Sequence, residues 1–455
     1  MKDFFTMNIA QLELEHSHLT VERLQCRDEG LDIGPLEAEF DRLLNADLSQ
    51  PGNQAAAQRL LDATITRPRH TDHPFIEPSD LNGIQTESDN SGEDPPFIPD
   101  PDDMQNRVSG AWLGRACGCL LGKPVEGWRR SRIRGYLMDT GRFPLSDYFT
   151  YRAPEAVRKS YGIENNRAFI DLVSAMPEDD DMNYSLTALC LLEKHGNDLQ
   201  SEHVARFWLE NIPVMKTFTA ERIAMRNFLL NIPPPDSAAW RNPYREWIGA
   251  QIRADIYGVA LPGQPRRAAA LAFQDARISH TGNGIYGAIW VAAMNALAWT
   301  TRDPACVIRG ALSHIPKRSR LRLTIEEVLK WHHEGITWEE AEERIHGKWN
   351  EAEPHDWTHV ISNAAIVAAA LLWGGLDFGR TICLAVGAGF DTDCNGATAG
   401  CVAGLMLGAE GIPERWTAPL HGTLETILPG RGQVRFSDLK EETIHVIEAL
   451  RRREN

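Results

Sequence analysis

The sequence predicts an all-α fold: a compact multi-helix domain preceded by a partly helical N-terminal extension. Three features carry that expectation. From Arg107 onward, apolar residues recur at helical spacing almost without interruption. No run of alternating β-branched residues bounded by hairpin turns breaks the pattern. Two segments carry glycine at every fourth position: GAWLGRACGCLLG, with Gly110, Gly114, Gly118 and Gly122, and GATAGCVAGLMLG, with Gly396, Gly400, Gly404 and Gly408.

The 455 residues divide near residue 105, into an extension over 1–105 and a main domain over 106–455. All 13 Trp lie at or after Trp112. The extension offers short helical patterns at Pro35–Ala46 and Gln54–Ile65. The stretch Arg67–Asp103 is polar, acidic and punctuated by proline, so it buries little and reads as a linker or a surface-wrapping arm. The start, MKDFFTMNIAQLELEHS, lacks the apolar core and small-residue site of a secretory signal. The longest apolar stretch, Ala364–Trp373, is about half of the ~20 residues that span a bilayer, so no membrane partner is expected. The eight Cys include no CxxC pair and read as reduced thiols of a cytoplasmic protein. A formal charge of −16 argues against a nucleic-acid partner, which needs clustered Lys and Arg. Oligomeric state is left open.

In the main domain, helical spacing covers Val108–Leu121, Asn183–Lys194, Glu202–Asn211, Pro243–Tyr257, Pro265–Phe273, Ile285–Thr300 and Ala305–His314. It continues through Ile325–His333, Trp338–His346, Ser362–Trp373, Asp377–Val386, Asn395–Leu407 and Glu441–Arg452. A glycine inside a helix costs roughly 0.8–1 kcal/mol against alanine, so a stripe of four costs roughly 3–4 kcal/mol. Close backbone approach between two central helices offsets that cost and draws their flanking loops together. The alternative is that both glycine segments are flexible and non-helical.

The loop before the second striped helix carries acids, and a helix start distant in sequence has the same design. PEDDDMNYSL, Pro177–Leu186, loads a helix start with Glu178, Asp179, Asp180 and Asp181. GAGFDTDCNG, Gly387–Gly396, does the same with Asp391 and Asp393, followed by Cys394 and Asn395. Either cluster alone is an N-cap or a solvated face. Brought together they form an oxygen-rich cage suited to Mg²⁺ or Mn²⁺ rather than zinc. GKPVEGW, past the first striped helix, places Glu126 in a short turn. In SHTGNGIYGAIW, the N–H groups of Gly282, Asn283 and Gly284 precede a helix, a geometry that cradles phosphate or simply caps the helix. Ser279 and His280 beside them read as ligand-binding or structural. His332, His333 and His346 match no zinc template.

The order of these motifs resembles the ADP-ribosylglycohydrolase family, over Arg107 to the last helix. GFDTDCNGATAG is the most specific piece. The resemblance implies an all-α fold with a binuclear Mg²⁺ or Mn²⁺ site. It implies metal ligands at Glu178, Asp179, Asp180, Asp391, Asp393 and Cys394. Glu178 stands where threonine is usual, and Cys394 replaces a hydroxyl residue. A thiol is a poor ligand for a hard ion, so occupancy of both positions stays open. Glu126 and Asp180 take catalytic roles. Ser279, His280 and Asn395 fall in the substrate-binding set. "IGAQIRADIYG", Ile248–Gly258, looks like a reduced form of the family's phosphate loop. It makes Arg253, with Gly282, Asn283 and Gly284, a candidate for pyrophosphate. Tyr286, Trp128 and Tyr184 are candidates for stacking on a base.

The implied function is a divalent-metal-dependent hydrolase cleaving the N- or O-glycosidic bond of an ADP-ribosyl or related ribosyl conjugate. Such cleavage builds positive charge at C1′, protonates the leaving group and admits water. Alternatives are hydrolysis of another ribosylated small molecule or nucleoside, and a non-catalytic ADP-ribose-binding or structural member of the same fold. A two-metal phosphoesterase typically adds His ligands, and neither acid loop contains one.

Overall fold

The computed structural model describes residues 13–89, 94, 97–163 and 168–452. The signal-peptide reading of residues 1–12 lies outside the described residues, as do 90–93 and 95–96 of the polar arm. The architecture is all-α. Helices α1 (His16–Asp28), α2 (Glu37–Leu44) and α3 (Pro51–Thr64) belong to the extension. The main body is organised by α4 (Pro101–Gly122), α5 (Asp180–His195), α6 (Ala220–Leu229), α7 (Pro265–Ala276) and α8 (Gly282–Ala298). Further along come α9 (Arg320–His333), α10 (Val360–Gly374), α11 (Phe378–Gly387), α12 (Thr392–Leu407) and α13 (Phe436–Arg452).

The two glycine stripes form the axis of the fold. Helices α4 and α12 run antiparallel, backbone against backbone. A Cβ built on Gly114 would lie inside the carbonyl of Gly400, and one on Gly118 inside that of Gly396. Gly110 meets Gly404 in the same way. No side chain larger than hydrogen fits, so the helical cost of glycine is offset by contact that only glycine allows. At the end of the seam, Thr392 Oγ1 donates to the Gly122 carbonyl at 2.9 Å. That bond locks the C-terminus of α4 to the N-terminus of α12.

Helices α8, α10 and α11 surround α12, and α13 covers α4. Helices α8 and α10 are apolar on all faces, as GNGIYGAIWVAAMNALA and VISNAAIVAAALLWG require of buried rods. Trp112 is fully buried and its indole N–H donates to Thr443 Oγ1 of α13 at 2.9 Å. Among the described residues no helix is long and apolar enough to cross a membrane.

The extension has a small core of its own, including Leu19, Phe40, Leu43 and Leu60. It is docked by charge: Arg245 donates to Glu22 at 2.7 Å and to Glu29 at 2.8 Å. The polar arm then runs over the main body. Ile76 N–H donates to the Arg318 carbonyl at 3.1 Å, Glu77 pairs with Arg320 at 2.8 Å, and Ile84 enters the large core.

Three details differ from the sequence reading. Pro243–Tyr257 is not one helix. Trp247 bridges to His359 as an extended residue, and only Ile248–Arg253 (a 3₁₀ turn) and Asp255–Val259 are helical. Arg245 and Glu246 are drawn into ion pairs with elements distant in sequence, which outweighs local periodicity. A short antiparallel hairpin, β1 (Thr423–Glu425) with β2 (Gln433–Arg435), was not legible, because strands of three residues carry too little alternation. Helices α1 and α6, and those over Leu81–Glu87 and Arg130–Asp139, also lie outside the segments expected to be helical.

Candidate metal centre

The α4–α12 lock sets the site. Past Gly122 the chain makes a 3₁₀ turn, Lys123–Val125, that delivers Glu126 beside the acid loop before α12. That loop turns through left-handed Gly389 (φ +79°) and Phe390 (φ +57°). Phe390 is held there by the Trp357 indole, whose N–H donates to its carbonyl at 2.6 Å. Asn363 Oδ1 accepts both the Asp391 N–H at 3.1 Å and Asn395 Nδ2 at 2.8 Å. The other acid loop starts α5. Asp179 caps the helix by accepting the Asp181 N–H at 2.9 Å. Arg115, fully buried on α4, donates to Asp181 Oδ1 at 2.9 Å and to Asp255 at 2.7 Å, which orients the Asp181 carboxylate.

The two loops meet in one cleft of about 260 Å³, lined by Glu126, Asp179, Asp180, Asp391 and Asp393 among others. Ligand atoms of Asp181, Asp393 and Cys394 lie within 4.8 Å of one another, as do those of Cys119, Asp179 and Asp181. Asp181 Oδ2 and Asp393 Oδ1 are buried without a hydrogen-bond partner. The charge is correspondingly uncompensated. The neighbouring Asp393, then burial, push the Glu126 carboxyl well above its ordinary range. Burial, then Asp179, do the same to Asp180, and burial, then Asp393, to Asp391. Burial also raises Asp181 and Asp393, each with Asp179 as a neighbouring charge. Asp179 is the exception. Burial opposes ionisation, yet the paired Lys123 ammonium holds it below the usual range. Orphaned buried carboxylate oxygens with surplus negative charge fit a hard divalent cation.

The family model for ADP-ribosylglycohydrolase matches residues 100–449. The chain belongs to the ADP-ribosylglycohydrolase family. That family acts on ADP-ribose-type substrates and is typically metal-dependent. No curated protein matches the chain. A solved structure described as an ADP-ribosylglycohydrolase-related protein complex is similar at 21% identity, with a TM-score of 0.42, covering 77% of this chain and 99% of that one. At that score the likeness carries no argument.

The site residues expected from the sequence fall into three groups. Glu126, Glu178, Asp179, Asp180, Asp391, Asp393 and Cys394 line the cleft, with Tyr184. Glu178 stands at the edge, bound by Lys216 Nζ at 2.9 Å and Asn183 Nδ2 at 2.9 Å. Burial, then Asp181, raise the Cys394 thiol well above its usual range, so it stays protonated. A second group lies one layer beneath. Arg253 donates to Glu221 at 2.8 Å and to Ser279 Oγ at 2.9 Å, and also pairs with Asp275. Ser279 Oγ bonds His280 Nδ1 at 2.9 Å, and Asn395 is fully buried on Asn363.

The third group is elsewhere. The Gly282 N–H donates to Ser79 Oγ at 3.0 Å, and the Asn283 N–H to Glu246 Oε1 at 2.7 Å. Those donors of the expected phosphate cradle are spent on the chain itself. Gly284 abuts His280 and the Arg245 carbonyl, and Tyr286 donates its hydroxyl to the Pro78 carbonyl. Trp128 stacks on Tyr161 with Arg132 over its ring. None of these residues lines the acid cleft.

Several cleft residues carried no sequence signal. Lys123, Lys216, Glu221, Trp247 and Trp357 all line it, and Asp181 and Cys119 back it. A single Lys or Trp in a helical sequence is indistinguishable from surface or core. Asp181 belonged to the acid run, but only Arg115 shows that it faces inward.

Asp28, His355 and His359 form another cluster of potential ligands. Trp247 Nε1 donates to His355 Nδ1 at 3.2 Å, and the Ile361 N–H to His359 Nδ1 at 3.2 Å. With Nδ1 accepting in each ring, Nε2 faces Asp28, at 3.0 Å from His355 and 4.0 Å from His359. The cluster is a clasp holding α1 to the main body.

Proposed function

We propose that this chain is a divalent-metal-dependent hydrolase that cleaves the N- or O-glycosidic bond of an ADP-ribosyl or related ribosyl conjugate. The observation that carries the reading is the convergence of the α5 and α12 acids with Glu126 in one cleft, with two buried carboxylate oxygens left unpartnered. Asp181 and Asp393, with Asp180 and Asp391 beside them, would hold a Mg²⁺ or Mn²⁺ ion. Asp179, tied to Lys123, is the weaker position for a second. When bound, the ion supplies Lewis-acid polarisation and orientation of sugar hydroxyls and water.

The chain's own groups do the remainder. Glu126, in the turn just past α4, lines the same cleft as the acids and is the carboxyl placed to give or take a proton at the scissile bond. Tyr184, Trp247 and Trp357 offer apolar walls that exclude water around the developing positive charge at C1′.

The test is hydrolysis with Mg²⁺ or Mn²⁺ against ADP-ribosyl-arginine, ADP-ribosyl-serine, O-acetyl-ADP-ribose, N-ribosyl-arginine and free nucleosides, with and without EDTA. Metal-dependent release of the leaving group from at least one is expected, and its loss in Asp391→Ala. Turnover at the parental rate in EDTA would refute the metal assignment.

A further inference from the structure

One face of α1 is matched to the segment Tyr244–Trp247, residue against residue. His18, Val21, Glu22, Gln25 and Asp28 recur at helical spacing, so they share one side of the helix. The His18 ring lies 5.7 Å from that of Tyr244. Val21 packs with Tyr244 and Trp247, and with Ala220 and Ile223 of α6, in one buried cluster. Glu22 accepts from Arg245 at 2.7 Å, and Gln25 Nε2 donates to Glu246 Oε2 at 2.8 Å. Asp28 completes the row through His355. Its Oδ2 lies 3.0 Å from His355 Nε2, and His355 Nδ1 accepts the Trp247 indole N–H at 3.2 Å.

Trp247 is where this face reaches the cleft. Its ring is one of the aromatic walls, and Ile248 and Gly249 continue the lining. The Trp247 backbone is fixed separately, by the bridge to His359 and by its N–H donating to the Tyr244 carbonyl at 2.9 Å. The side chain still has two torsions to set. Tyr244 and Val21 pack against the ring, and the single polar group of an indole, its N–H, is taken by His355. Docking of α1 does not need Asp28: Glu22 and Glu29 on Arg245, with Gln25 on Glu246, already supply it. Asp28 is 44% exposed, and a pair so open to water adds little stability. What it does fix is the ring that bonds the indole. The helix doing this lies outside residues 100–449, the part of the chain that the family model matches.

We propose that α1 is a working part of the cleft. Asp28 and His355 are positioning residues that hold the Trp247 ring at the angle bound substrate meets, so the N-terminal extension sets substrate affinity. The proposal rests on the hydrolase reading above and adds a specificity element to it. Neither residue touches the substrate; both act through the indole.

The experiment is a double-mutant cycle on the full chain with Mn²⁺, using the substrate of the panel above that the wild type cleaves fastest. Asp28→Ala should lower kcat/KM about tenfold, chiefly through KM. Trp247→Phe has no N–H for His355, so adding Asp28→Ala to it should cost less than about twofold more. His355→Gln, which keeps an acceptor for the indole, should recover most of the activity that His355→Leu loses. Parental kcat/KM in Asp28→Ala overturns the proposal and leaves the hydrolase reading standing. So does an equal loss in the two backgrounds, because a purely structural role for α1 would not depend on the indole. Equal activities of His355→Gln and His355→Leu overturn it too, whether or not Asp28→Ala folds. Failure of the wild type across the whole panel overturns the hydrolase reading and the proposal with it.

Discussion

Asn283 donates its backbone N–H to Glu246 Oε1 at 2.7 Å and its side-chain Nδ2 to the same oxygen at 2.9 Å. The start of α8 is thus closed by the chain's own carboxylate. Glu246 also accepts from Arg320 at 2.7 Å and from Gln25 of the extension at 2.8 Å. Burial opposes its charge, but Arg320, His359 and Asn283 together hold it well below the ordinary carboxylate range. A predicted ligand cradle is instead a structural junction between the extension, α8 and α9. Glu246→Ala leaves Arg320 and the Asn283 donors buried without their partner. The expected cost is about 3–5 kcal/mol, read from urea denaturation. A loss below ~1 kcal/mol would mean the junction is not a stabilising one.

The glycine seam predicts opposite signs for the same substitution. Gly118→Ala places a methyl inside the Gly396 carbonyl and should destabilise by at least about 1–3 kcal/mol, or prevent folding. Gly347→Ala, on an exposed helical position with nothing within 4 Å, should stabilise by about 0.5–1 kcal/mol. Thermal melts of the two variants check the contrast.

Acidity gives a pH signature. Asp180, Asp181, Asp391, Asp393 and Glu126 hold their protons more tightly folded than unfolded. The ion-free protein therefore loses stability as pH rises from the unfolded carboxylate range, about 4, through the raised folded values. A divalent ion offsets that repulsion but competes with protons. Mn²⁺ should raise Tm more at pH 8 than at pH 5.5, and Asp393→Asn should abolish the increment. Equal increments at both pH values would count against the centre.

Lys123 competes with metal for Asp179. Lys123→Met should therefore strengthen Mn²⁺ binding or add a second equivalent in calorimetry. Cys394→Thr replaces a protonated thiol by a hydroxyl and should preserve or raise Mg²⁺ affinity. Loss of all binding in the threonine variant would contradict the ligand argument.

Glu126→Gln removes the proton-exchanging group while keeping its shape. The expected loss in kcat is about 10²–10⁴-fold, with Mn²⁺ binding retained. A variant with parental kcat would remove Glu126 from the chemistry.

The central helix pair was legible because glycine at every fourth position has a helical cost that close backbone contact offsets, and Gly114 against Gly400 is that contact. The loop with Asp391 and Asp393 was legible as the approach to the second stripe, and Glu126 as a turn just past the first; that the α5 acids join them was decided in three dimensions, where Arg115 of α4 holds Asp181. The helix start at Gly282 read equally well as a cradle or a cap, since both use the same N–H groups; the distant Glu246 decided between them.

By itself the sequence determined helical class, the glycine axis and the acid pair that opens its second helix, because each is written in spacing along one chain. Tertiary structure alone decided which carboxylates keep unpartnered oxygens, that Lys123 enters their midst, and that Arg253 is spent beneath the floor. Those outcomes depend on groups far apart in sequence competing for the same partners, and competition of that kind has no period for a sequence to display.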